Sequence, residues 1–78
     1  MDKKLYDGIL EILKCYGCEF SHNIDDKVHC YYNEYKQYSV TFDVKKGSIN
    51  CYGTNDTLFY LKGEHLTLNS LCGGLSNI

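Results

Sequence analysis

Seventy-eight residues leave room for one domain, 1–78, with a single small core. A chain with 44% hydrophobic and 23% charged residues is globular in composition, which excludes a disordered tail, a coiled coil and a transmembrane protein. Eight lysines against ten acidic residues give a formal charge of −2; Arg, Ala, Pro and Trp are absent, while Tyr occurs eight times and Cys five.

The first element is a helix. Leu5, Ile9, Leu10, Ile12, Leu13 and Tyr16 recur at helical spacing on one stripe, with Asp2 as N-cap and Gly17 as the stop. Asp7 and Glu11 interrupt any apolar run of the kind a secretory leader needs, so the expected location is the cytoplasm. Residues 19–27 are polar and read as a loop with at most a short extended piece. Then the period changes to two. Val28, Cys30 and Tyr32 alternate with His29 and Tyr31, and Tyr38, Val40, Phe42 and Val44 alternate with Ser39, Thr41 and Asp43. Gly47 supplies the positive φ of a tight hairpin, and a Lys46-Gly47 loop would pair Val44 with Ile49 and Phe42 with Cys51, keeping one face apolar. After a turn at 53–56, Thr57 to Lys62 is apolar on both faces and needs a cover, for which the segment from His65 to Ile78 is the obvious element: a short helix or turn, weakened by Gly73-Gly74. The predicted fold is α+β: an N-terminal amphipathic helix packed on a four-stranded antiparallel meander, closed by a short C-terminal helix or turn.

Cys15, Cys18, Cys30, Cys51 and Cys72 are an odd number, and in a reducing compartment they serve chiefly as small buried apolar residues. Cys15-Tyr16-Gly17-Cys18 is the one recognisable motif. With His22 and Cys30 it offers four N/S ligands for a tetrahedral zinc, the alternative to a chain with no cofactor; His29 beside Cys30 offers another fourth ligand. Against it, the second half of the chain has no matching pair. Thioredoxin-like chemistry places its cysteine at a helix N-terminus, whereas this pair closes a helix at the C-terminal end, where the dipole disfavours a thiolate.

The histidines and cysteines could in principle furnish a nucleophile and base, but no nucleophile elbow, phosphate-cradling glycine loop or paired-carboxylate motif accompanies them, so no enzymatic activity is expected. Direct nucleic-acid binding is disfavoured by the negative charge and by the absence of Arg, the usual partner of guanine.

What remains is the second face of the sheet, predicted to carry His29, Tyr31, Ser39, Thr41, Asp43, Asn50 and Tyr52, with Phe59 or Tyr60 according to the register of the last strand and Tyr35 on the adjoining turn. Tyrosine gives large contact area at low entropy cost, so this face is the expected site for a protein partner. The edge 57–62, or the bare face itself, could instead carry a homodimer.

In overall character, a short acidic α+β domain rich in Tyr and Asn with no catalytic signature, the chain resembles the small inhibitors that bacteriophages and mobile elements direct against host defence, the anti-CRISPR proteins among them. The depletion of residues with GC-rich codons fits a phage of a low-GC bacterium. The resemblance implies a stoichiometric binder that blocks a CRISPR nuclease, its nucleoprotein complex or its nucleic-acid channel.

Overall fold

The computed structural model describes all residues, Met1–Ile78, in the order α1 (Lys3–Cys15), β1 (Glu19–Asp25), β2 (Val28–Asn33), β3 (Tyr38–Asp43), β4 (Ser48–Tyr52), β5 (Thr57–Lys62), a 3-10 turn (Gly63–His65) and α2 (Leu68–Ser76). The class is α+β as expected, with five strands instead of four. They form one antiparallel sheet in the order β1-β2-β3-β4-β5, and both helices lie on one side of it.

Local chemistry accounts for the ends of α1. The Asp2 carboxylate accepts from the Leu5 amide at 3.3 Å, capping the first turn. At the other end Gly17, at φ +80°, donates to Lys14 and Cys18 donates back to Leu13 at 2.8 Å, a Schellman closure that needs a left-handed residue. The predicted stripe is the buried one: Ile9 and Leu13 lose essentially all exposure, and Leu5, Leu10, Ile12 and Tyr16 pack beside them. Thr67 caps α2 by accepting from Ser70 at 3.1 Å. From α2, Leu71 and Leu75 drop into the core formed with Tyr38, Val40 and Phe42 of β3 and Ile49 and Cys51 of β4.

The additional strand, β1, was hidden because all seven of its residues are exposed and only Phe20 and Ile24 among them are apolar. Backbone pairing with β2 holds it as an edge, closed by a tight turn in which Asp25 Oδ1 accepts from the Lys27 amide at 2.8 Å. The β3–β4 register also departs from expectation. Val44 does not join the strand; the loop is the four residues 44–47, and Phe42 pairs with Ile49 while Val40 pairs with Cys51. Asp43 is the reason. Its carboxylate accepts from the Lys46 amide at 2.8 Å and its carbonyl from Gly47, at φ +67°, so the turn closes two residues earlier than a Lys46-Gly47 loop would. A two-residue shift conserves facing, so the apolar side of β4 is as expected.

In β2 the facing is reversed. Pairing of Asn33 with Tyr38, Tyr31 with Val40 and His29 with Phe42 puts His29, Tyr31 and Asn33 on the helix side and Val28, Cys30 and Tyr32 on the other. Asn33 shows why: it is buried, its Nδ2 donates to the Tyr16 carbonyl at 2.7 Å and to the Tyr38 hydroxyl at 3.2 Å, and its Oδ1 accepts from Lys36. One amide thereby joins the end of α1 to the β2–β3 turn.

Candidate functional site

With both helices on one side, the opposite face of the sheet has no covering element. Strand alternation builds it from Cys30 and Tyr32 of β2, Ser39 and Thr41 of β3, Ser48, Asn50 and Tyr52 of β4, and Tyr60 of β5, with Leu58 exposed at the bulge where β5 has one residue more than β4. Its middle carries no charge. Three tyrosines and a leucine stand up from it, with Tyr60 52%, Leu58 44%, Tyr32 40% and Tyr52 36% exposed. Tyr52 is tethered across the strands, its hydroxyl 3.2 Å from Thr41 Oγ1, which in turn lies 3.9 Å from the Cys30 thiol. Asn50 sits between Thr41 and Tyr60, and its Oδ1 is sealed from solvent without any hydrogen bond from the chain. An acceptor left unpaired in this way costs stability.

Of the residues expected at this site, Ser39, Thr41, Asn50 and Tyr52 lie on the open face. Asp43 stands at its margin, but its carboxylate is engaged in the β3–β4 turn. Tyr35 is 93% exposed on the β2–β3 turn, as expected, where it lines a shallow hollow with Tyr32. His29 and Tyr31 are on the covered side. His29 Nδ1 is 2.6 Å from Asn23 Oδ1 and its ring lies edge-on to Phe42, while Tyr31 packs under α1 with Phe20 at its edge. Burial pushes the Tyr31 phenol up from its ordinary value, with Tyr6 adding to the shift. Tyr32 and Leu58 take the vacated roles, and of the pair Phe59 or Tyr60 it is Tyr60 that stands on this face. Only the pairing partners of β2 and β5 could have identified them, since both strands carry apolar residues on each face.

The four residues of the zinc alternative are not brought together. Cys18 is buried in the core with its thiol 3.3 Å from the Tyr38 hydroxyl, Cys30 is across the sheet beside Thr41, Cys15 is exposed on α1 and His22 is on the outer strand against Ser21. No three His, Cys, Asp or Glu side chains are grouped so that they could hold a metal ion. The buried thiols are also poor nucleophiles. Burial raises Cys18, partly offset by hydrogen bonds from Tyr38 and Asn33, and burial with the neighbouring Cys18 pushes Cys51 up to about 12. Tyr38 is likewise held neutral, mainly by burial and then by its bond to Cys18.

The concavities are shallow. The largest lies between the β1–β2 and β3–β4 turns, where Asp25, Asp26 and Asp43 are interleaved with Lys27, Lys45 and Lys46, so neither sign prevails. No helix is long and apolar enough to cross a membrane. No family model, no curated protein and no solved structure matches the chain.

Proposed function

We propose that this chain is a small non-enzymatic binding protein that docks its open sheet face on a larger protein, acting inside a bacterial cell as an inhibitor of the anti-CRISPR kind. The observation that carries the reading is the face itself: an uncharged centre bearing Tyr32, Tyr52, Tyr60 and Leu58, on a rigid five-stranded sheet. Protein interfaces are depleted of charge at their centre and enriched in tyrosine, and a preformed sheet loses little entropy on docking. Glu19, opposite Tyr32 at the β1 rim, suits a partner with basic surface, such as the nucleic-acid channel of a CRISPR nuclease or its nucleoprotein complex.

The test is titration of purified chain into purified CRISPR effector complexes while target cleavage is followed. Stoichiometric loss of cleavage, relieved in Tyr52→Ala/Tyr60→Ala, is the expected result. Undiminished cleavage by every effector type would remove the inhibitor reading, and equal potency of the double variant would remove the sheet face from it.

A further inference from the structure

At the margin of the open face, where the chain leaves α1 for β1, five residues line a shallow hollow of about 510 Å³: Gly17, Glu19, Tyr32, Glu34 and Tyr35. Glu19 opens β1 and is paired with Tyr32 of β2, while Glu34 and Tyr35 follow on the β2–β3 turn. That turn is held in place from below, because the buried Asn33 donates to the Tyr16 carbonyl at 2.7 Å and accepts from the Lys36 amide at 2.8 Å. Negative potential converges on the hollow from several sources. Neither Glu19 nor Glu34 is neutralised within the chain, whose ion pairs are Lys3–Asp7 and His65–Glu64. Lys36 reaches away to the Ile78 carbonyl at 3.0 Å, and Lys14 lines the neighbouring hollow on the other side of Glu19 without pairing to it. α1 ends at Cys15, so the partial negative charge of its C-terminus lies close to Gly17. The faces of the two tyrosine rings carry the same sign.

We propose that this hollow receives an arginine side chain of the protein on which the open face docks, its guanidinium lying against the rings of Tyr32 and Tyr35 and between the carboxylates of Glu19 and Glu34. The inference rests on the docking reading above and adds to it the residue type that the partner presents. The mixture of walls favours a guanidinium over an ammonium: its plane stacks on aromatic rings, its edge forks carboxylates, and it is the more weakly hydrated of the two. Tyr32 belongs both to the open face and to the hollow, so a partner seated on the face brings its margin to this place. Arginine and tyrosine are among the residues that most often carry the energy of an interface. One anchored cation at the edge of an uncharged centre also fixes which way round the partner sits. At the other end of the strands, the hollow between the β1–β2 and β3–β4 turns sets three aspartates among three lysines and has no such preference.

Titration of Nα-acetyl-arginine amide into the isotope-labelled intact chain, followed by nuclear magnetic resonance shifts, tests the hollow without a partner. Saturable shifts centred on Gly17, Glu19, Tyr32, Glu34 and Tyr35, with a dissociation constant in the millimolar range, are expected. The citrulline analogue, which has the same shape and no charge, should produce none, and the lysine analogue should bind about threefold more weakly. Glu19→Gln/Glu34→Gln should weaken the arginine probe by about tenfold and Tyr35→Ala by about threefold. All of these side chains are exposed, so an unchanged thermal midpoint reports separately that the fold is intact. Shifts that miss these residues, equal binding of the citrulline or lysine analogue, or a double variant that binds like the parent would each overturn the proposal. A chain that inhibits cleavage but does not bind the probe keeps the docking reading and loses only the hollow.

Discussion

The ring of Phe59 lies 2.8 Å from the point where a β-carbon on Gly74 would stand. α2 is thus seated on β5 as closely as backbone and ring allow. Gly73, one residue earlier, has nothing within 4 Å of its own β-carbon position.

Two adjacent helical glycines should accordingly respond in opposite directions to alanine. Gly73→Ala gains roughly 1 kcal/mol of helix propensity at no steric cost. Gly74→Ala gains the same but must displace the Phe59 ring, and overpacking typically costs about 1–3 kcal/mol. Thermal unfolding should show the first variant melting a few degrees above the parent and the second below it. Equal shifts for the two would mean that α2 is not held against Phe59.

Tyr31 and the pair Tyr52 and Tyr60 separate stability from binding. Tyr31 packs under α1, so Tyr31→Ala should lower stability by about 2 kcal/mol in a denaturant titration. Tyr52→Ala and Tyr60→Ala remove exposed rings and should leave the midpoint nearly unchanged while weakening partner binding by tenfold or more each.

Asn50 should be a position where the chain gives up stability. Replacing its unpartnered Oδ1 by a methyl group in Asn50→Val removes a sealed, unsatisfied acceptor and suits a strand, so the expected change is a stabilisation of about 1 kcal/mol. A less stable Asn50→Val would show that the amide is satisfied in solution.

The buried thiols and phenol predict an alkaline limb. Cys51 is raised from its ordinary 9.0 to about 12, and Cys18, Tyr31 and Tyr38 shift in the same direction. These groups keep their protons in the folded chain and release them when it unfolds, so the unfolded state binds fewer protons and stability falls as pH rises. The Cys51 contribution is complete below pH 9.0 and is lost progressively up to about pH 12. Equilibrium unfolding across that range should decline more gently in Cys51→Ala and in Tyr38→Phe than in the parent; parallel declines would remove these groups as its cause.

Much of the architecture was written in short-range pattern. The stripe from Leu5 to Tyr16, the Asp2 cap, the Gly17 stop and the alternation from Tyr38 to Phe42 name α1 and β3 because burial on one side imposes a period, and cap and stop satisfy backbone groups within a few residues. The candidate site was only partly legible for the same reason. Asn50 and Tyr52 follow from the parity of a hairpin next to β3. His29 and Tyr31 were misplaced because {Val28, Cys30, Tyr32} and {His29, Tyr31, Asn33} are almost equally apolar.

Strand facing in β2 was settled by a contact distant in sequence: Asn33 reaches the carbonyl of Tyr16 and the hydroxyl of Tyr38, and a buried amide turned to the open side would lose both bonds. The facing of β5 was settled by α2, whose Gly74 admits the ring of Phe59 and so leaves Leu58 and Tyr60 to the open side. β1 exists because β2 offers it an edge, through backbone bonds that no side-chain pattern records. The sequence by itself determined the elements that one-sided burial makes periodic. Only the tertiary structure decided which way the two-sided strands face, because there the choice rests on individual hydrogen bonds and close contacts between residues far apart in the chain.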